Sequence, residues 1–546
     1  MDARSFQGGS VRAVTALFDA PSSEVIAGAL VTRARRRLER MKDSALADML
    51  ADTVFHERKR LEEGRGDSAK EQDYAGRIDA AALTLRDLVR SDMESALLHI
   101  VDAYAREVHN PFSTRTYRFA TRVLPGALTR LLSASRARDL ALRPLQVETD
   151  AASRIAIAGP VEQIRALTQT ATVILAPTHV SNLDSPLLGY ALYAAGLPPF
   201  AYGAGLNLFS TPGMSFFMRR LGAYTVDRRK RNALYKETLK DYSIELLRRK
   251  CHSLFFPGGT RSRSGRLEAR LKKGLLGTGL AAWQENLRSG PNGPAGASGE
   301  VFIVPCTLSI GVVLEAESLI ADALADEGKQ RYIIMDDEFS EARTVVAFVH
   351  QLLRLDARVH VTFGQPLDVT GNLVDSELRS LDPHGRPVDR IGYVTDRDGN
   401  VVEDAQRDHL YTERLARKLC DAYHRDFVVQ STHLAAWAAW EVLCARHPGL
   451  DVYRLVRLTV DQKEVPRSDV EALIAQALEQ LGDHPRTGPA TPSRILDEAV
   501  TLFANFHRVR ALEITGSQRN TVRLAGELTL YYRNRLDGLQ LGSARA

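Results

Sequence analysis

Thr172-Val173-Ile174-Leu175-Ala176-Pro177-Thr178-His179-Val180-Ser181-Asn182-Leu183-Asp184-Ser185-Pro186 decides the fold. A short apolar run with β-branched side chains reads as a strand. A polar turn follows. Ser185-Pro186 then reads as a helix start, because proline is pre-organised for the first helical turn.

The same pattern repeats on the C-terminal side of this stretch. Ala223-Tyr224-Thr225-Val226, Ser253-Leu254-Phe255-Phe256 and Val301-Phe302-Ile303-Val304 are further β-type runs. Each leads into polar or Gly-rich residues and then a helical stretch. Val359-His360-Val361-Thr362-Phe363 closes the series. Strands alternating with helices predict an α/β fold, a mixed, largely parallel sheet covered by helices. N- and C-terminal helical regions flank it.

The regions on either side read differently. Residues 1–150 read as helical. Ile78, Ala82, Leu85, Val89, Met93, Leu97 and Ile100 form one amphipathic stripe. The polar run from Glu57 to Glu71 reads as a loop or an exposed helix, and Asn110-Pro111 as a helix stop. Arg115, Arg118 and Arg122 read as a solvated helix face, with a lipid-phosphate contact as the other reading. Residues 151–370 hold the α/β domain, with a Gly/Pro/Ser/Ala-rich loop from Arg288 to Glu300. Residues 371–430 read as a polar excursion and connecting helix, and residues 431–546 as a C-terminal helical region. In that last region Val470, Leu473, Ile474, Ala477, Leu478 and Leu481 form a stripe, with Ser468 or Asp469 as its cap and Gly482 as its stop.

Composition excludes several classes. Over 546 residues, 44% apolar and 25% charged is a globular balance. A net charge of +5 is too small and dispersed to argue for nucleic acid. It suits a local pocket for anions, a basic face near anionic lipid, or an ordinary solvated surface. Cys251, Cys306, Cys420 and Cys444 form no CxxC pair, so no zinc or dithiol centre is indicated, and scattered cysteines fit a reducing cytosol. Met1-Asp2-Ala3-Arg4-Ser5 lacks the apolar core of a signal peptide. No apolar run is long enough to span a bilayer. Ser185 to Met218 nonetheless carries no charged residue and many aromatics. Pro198-Pro199 and Pro212 argue against a spanning helix, leaving a buried helix with a core loop, or an apolar surface that meets lipid.

Four strand ends carry candidate chemistry, and a parallel sheet brings such ends to one edge, where ligands bind. His179 and Asp184 follow the first. A neutral imidazole can accept a proton from an alcohol, and a carboxylate can hold its other nitrogen protonated. The alternative is an Asp184 that only starts a helix. The same spacing at His384 and Asp389 lies in a polar turn without a preceding strand. Arg228 follows the second run, with a guanidinium suited to phosphate unless Asp227 neutralises it. The third, Phe255-Phe256-Pro257-Gly258-Gly259-Thr260-Arg261-Ser262-Arg263-Ser264-Gly265-Arg266, is the most specific. Glycines let main-chain N–H groups approach an anion, and arginines supply the charge. Val304-Pro305-Cys306 ends the fourth run. GxSxG, HExxH and GxxxxGK[ST] patterns do not occur. A His/Asp pair beside a cationic phosphate pocket, without metal or covalent nucleophile, suits alcohol attack on an activated acyl group.

In these residues the chain resembles the glycerolipid acyltransferase family, whose members use glycerol-3-phosphate, dihydroxyacetone phosphate or lysophosphatidate. The family's ordered motifs correspond to His179 and Asp184, Gly222 and Arg228, Phe256 through Ser262, and Pro305. The helical N-terminal part and Leu530-Tyr531-Tyr532-Arg533-Asn534 resemble the long glycerol-3-phosphate branch. The resemblance implies that His179 is the general base and Asp184 its orienting partner. It assigns Arg228, Arg261 and Arg263 to the acceptor phosphate, with Gly259, Thr260 and Ser262 in the same binding loop and Pro305 near the acyl or acceptor pocket. The implied donor is acyl-CoA or acyl-carrier protein, with no cofactor or metal. The implied place is phospholipid biosynthesis, peripheral on the cytoplasmic side of a membrane. One departure stands out: Gly258 occupies the position of the family's Glu. The readings are altered acceptor geometry, a substitute carboxylate such as Glu268, or reduced activity. An acyl-thioester hydrolase and a non-catalytic membrane-associated binding protein are the alternatives on the same fold.

Overall fold

The computed structural model describes residues 21–63, 69–120, 155–206, 212–294, 299–327, 359–539 and 541–542. Arg122, Leu208 and Phe209 lie outside them. All five expected runs are strands. They are β2 (Thr172–Pro177), β4 (Ala223–Val226), β5 (Ser253–Leu254), β6 (Val301–Ile310) and β7 (Val359–Phe363). Among the described residues five more join the same sheet: β1 (Ile155–Ala158), β3 (Ala201–Gly205), β8 (Leu367–Asp368), β9 (Leu373–Val374) and β10 (Ser380–Leu381). The order is β10-β9-β8-β6-β2-β5-β3-β4, with β7 beside β6 and β1 beside β7. From β6 to β4 every pairing is parallel, and the β6–β7, β6–β8, β8–β9 and β9–β10 pairings are antiparallel.

β2 lies centrally and is buried throughout, so its continuous apolar run serves two cores. Val173 and Leu175 face one, shared with α1 (Val161–Thr170) and α2 (Asp184–Ala194). Ile174 and Ala176 face the other, against α3 (Ala233–Arg248), α4 (Lys273–Ser289) and α5 (Ala405–Asp426). The strand's period of two divides these residues between the cores.

Pro305 was expected at a strand end and instead stands inside β6. Its missing N–H is tolerated because β6 changes partners there. Phe302 and Ile303 pair with β8, whereas Cys306 to Ile310 pair with β7. On its other side Pro305 lies opposite Ala176 of β2.

The N-terminal stripe is broken. It spans two helices, Ala69–Asp87 and Arg90–Val108, separated at Leu88, whose φ is 49°. Glu57 is not in an exposed run either. It is fully buried in the helix Asp43–Glu63, accepting from Arg60 at 2.8 Å, the Tyr104 hydroxyl at 2.9 Å and Asn232 at 3.0 Å. A paired carboxylate can be buried where a lone one cannot. Asn232 caps α3, so this network ties the N-terminal helices to the segment that follows β4.

In the C-terminal part the helix Arg467–Leu481 ends at Gly482, with φ 48°, as its sequence implies. Ser468 and Asp469 do not cap it: they lie inside its first turn, two and three residues past the cap position, Pro466. A small antiparallel sheet, β11 (Glu464–Pro466), β12 (Leu512–Thr515) and β13 (Thr521–Leu524), also lies here.

Candidate active site

His179 and Asp184 meet across the turn that leaves β2. His179 Nδ1 and Asp184 Oδ2 are 2.8 Å apart. The same oxygen accepts the main-chain N–H of Val180 at 2.6 Å and of Ser181 at 2.9 Å. Asp184 is fully buried, whereas the His179 side chain is 17% exposed. With Nδ1 engaged by the carboxylate, Nε2 is the nitrogen left for a reacting group. The ring stacks on Phe256 with centroids 4.0 Å apart and planes 21° from parallel. Orientation is therefore set by one hydrogen bond and one apolar face.

The decoy pair lacks all of this. His384 and Asp389 are exposed. His384 donates its N–H to Asp382 and Asp389 accepts from Ile391, both local turn contacts.

The basic loop after β5 is bound to the His179 turn. Ser262 N–H donates to the His179 carbonyl at 2.9 Å, and Glu268 Oε1 accepts the His179 N–H at 2.7 Å. Gly259 turns the loop with φ 82°, and a Cβ there would lie 2.6 Å from the Lys272 side chain. Thr260 is exposed; Arg261, Ser262 and Arg263 are partly buried. Arg261 is 3.6 Å from Glu315, which also accepts the Asn182 N–H. Burial pushes the Glu315 and Glu268 carboxyls above their ordinary range, while main-chain donors and arginines oppose the shift.

Arg228 is exposed just past the end of β4. Asp227 does not neutralise it. That carboxylate is bidentate to Arg229, at 3.0 Å in each contact. Three inter-strand steps separate β2 from β4, about 14 Å of sheet. An acceptor touching both His179 and Arg228 has to cross that gap less the reach of the two side chains.

Sequence reasoning missed two contributors. Glu315 is the lone acid in Ile310-Gly311-Val312-Val313-Leu314-Glu315-Ala316, and an acid in such a run is a signal of burial for a purpose. The other is the C-terminal segment. Asn534 Nδ2 donates to the Ser264 carbonyl at 2.8 Å, and Arg266 Nε to Asp537 at 2.6 Å. Arg535, 2% exposed, lies against Tyr531.

A cavity of about 480 Å³ is lined by Arg33, Arg37 and Arg248, but it belongs elsewhere. It lies at the far end of α3, away from the strand ends that carry these motifs. Arg33, Arg37 and Arg248 pair there with Asp241 or Glu285, and Arg40 and Arg288 with Glu403. Among the described residues no helix is long and apolar enough to cross a membrane.

Residues 160–309 match the family model described as acyltransferase. The chain is 33% identical over 202 residues to a glycerol-3-phosphate acyltransferase of Haemophilus ducreyi, covering 37% of this chain and 22% of that protein. It is 27% identical over 247 residues to one from Pseudomonas entomophila, covering 44% and 27%. The chain thus spans about a quarter of the length of these curated relatives. A solved 1-acyl-sn-glycerophosphate acyltransferase of Thermotoga maritima is similar over 56% of this chain and 84% of that one, at 15% identity and a TM-score of 0.26.

Proposed function

We propose that this chain, whose residues 160–309 match the acyltransferase family model, moves a fatty acyl group from a thioester to a hydroxyl of glycerol-3-phosphate or a related glycerol phosphate. The observation that carries the proposal is the contact between His179 and Asp184 at 2.8 Å, on a turn bonded to the basic loop. The curated relatives' names support the acceptor class.

In this reading Nε2 of His179 takes the proton of the acceptor hydroxyl while that oxygen attacks the thioester carbonyl. A tetrahedral intermediate collapses, the C–S bond breaks, and the imidazolium returns the proton to the leaving thiolate. Asp184 keeps the proton on Nδ1 and stabilises the transient positive charge. Arg261, steadied by Glu315, binds the acceptor phosphate with Arg263 and Arg228. Gly259 shapes the loop, with Thr260 and Ser262 beside the anion. Pro305, level with the end of β2, borders the acyl or acceptor pocket. A thioester is already activated, so no covalent enzyme intermediate is required.

The donor is acyl-CoA or acyl-carrier protein, and the product enters phospholipid synthesis. Contact with a membrane surface from the cytoplasmic side accompanies this chemistry. Exposed Phe119, Tyr193 and Phe216 support such contact. The test supplies purified protein with glycerol-3-phosphate and each donor in turn. Acceptor-dependent formation of a monoacyl glycerol phosphate with release of free thiol is the expected result. Thiol release indifferent to acceptor would assign a hydrolase, and no turnover with any phosphorylated glycerol would leave only a binding role.

A further inference from the structure

A Cβ built on Gly258 would lie 3.0 Å from Cγ and 3.3 Å from Oε1 of Glu268. The space a side chain at 258 would enter is therefore already occupied. From that space Glu268 Oε1 accepts the His179 N–H at 2.7 Å. We propose that Glu268 is a positioning residue for His179, its carboxylate reaching the base from the far side of the basic loop, and that glycine at 258 leaves it room. The inference rests on His179 acting as the base.

His179 is held at three points. Asp184 fixes the ring through Nδ1, Ser262 holds the carbonyl, and Glu268 holds the N–H. Removing one hold frees the backbone to shift the ring relative to a bound acceptor. Burying a carboxylate is costly, and an apolar side chain would fill the same space at lower cost. What an apolar group cannot supply is an acceptor for the His179 N–H and a negative charge near an imidazole that gains a proton. Burial outweighs what opposes it, chiefly the main-chain N–H groups of His179 and Glu268 and then Arg535 of the C-terminal segment.

The experiment uses the full chain and two readouts. Glu268→Ala is expected to lower kcat about 10- to 100-fold with the acceptor KM little changed, as for a misplaced catalytic group. Amide hydrogen exchange at His179 is expected to accelerate in the same variant. Gly258→Glu alone places two carboxylates in one space and is expected to lower Tm. Gly258→Glu combined with Glu268→Ala returns one carboxylate to that space, and is expected to restore slow exchange and most of kcat. Glu268→Gln keeps an oxygen acceptor at nearly equal volume and is expected to keep exchange slow, which guards against a folding failure of the alanine variant. Wild-type exchange at His179 in folded Glu268→Ala would overturn the proposal. So would a double variant no better than Glu268→Ala in both readouts. Exchange is read without turnover, so a wild-type chain that transfers no acyl group defeats the proposed function while exchange still decides the role of Glu268.

Discussion

Gly265 lies directly against the carbonyl of Tyr531: a Cβ at 265 would sit 1.9 Å from that oxygen. Its φ of 80° is also one that side chains other than glycine rarely adopt. The basic loop and the C-terminal segment thus touch main chain to main chain, beside the hydrogen bond from Asn534 to Ser264. Loop shape at the site depends on a segment far away in sequence.

Gly265→Ala should therefore separate the two. The expected result is a loss of roughly 2–4 kcal/mol in stability, from steric overlap and strain together. Limited proteolysis should find the segment after Glu527 more readily cut. A variant with wild-type Tm and wild-type protection there would contradict the contact.

His179→Ala and Asp184→Ala should differ in kind. Loss of the proposed base is expected to lower kcat by roughly 10²–10⁴ with little change in Tm. Loss of Asp184 additionally strands the buried N–H groups of Val180 and Ser181, each worth about 1–3 kcal/mol. Denaturation midpoints measured beside acyl transfer decide the matter. Equal midpoints for the two variants would contradict the shared role of Asp184.

Glu315→Gln should weaken acceptor binding yet stabilise the fold at high pH. Burial raises the folded-state pKa of Glu315 above 4.5. A raised carboxyl contributes stability below about 4.5 and loses it as pH rises through the folded value. At pH 8 the ionised group is a penalty that glutamine removes. The expected result is a higher Tm than wild type at pH 8, converging as pH falls toward 4.5, with a several-fold rise in acceptor KM as Arg261 loses its charged partner. A variant that is less stable at pH 8, or that has an unchanged KM, would count against this account.

His252 should make the fold acid-sensitive. It is buried behind β2, its Nδ1 accepting the Val173 N–H at 3.0 Å, and burial pushes its pKa from 6.5 down to about 4. For a depressed histidine the stability is present above about 6.5 and is lost as pH falls toward 4. His252→Asn keeps an acceptor near the same place without a titrating ring. Its deficit relative to wild type at pH 7.5 is expected to shrink steadily between pH 6.5 and 4. A constant gap across that window would show that the ring does not titrate on unfolding.

Legibility in the sequence followed burial. β2, β4 and β6 were readable because strands buried at nearly every residue carry apolar and β-branched side chains, β7 because its buried residues alternate, and the two-residue β5 through the apolar Phe255-Phe256 that follows it. β3 was not, because Ala-Tyr-Gly-Ala-Gly has no β-branched residue and sat inside a long uncharged stretch. β8, β9 and β10 are two residues each, too short for any period to show. Glu57 looked solvent-facing because its partners, Tyr104 and Asn232, lie on other elements. Pro305 read as a stop because nothing in the local sequence says that β6 changes neighbours there.

By itself the sequence determined that the candidates His179 and Asp184 lie close together just past an apolar strand, and it left open whether Asp184 only starts a helix. Both sit on one tight turn, and a few backbone dihedral angles suffice to bring a carboxylate to an imidazole. Tertiary structure alone decided what surrounds that pair: Ser262 on the carbonyl, Glu268 on the N–H, Glu315 behind Arg261, and the C-terminal segment against Gly265. Those contacts join strands and helices whose neighbours are chosen by packing of the whole sheet, so no local run of residues encodes them.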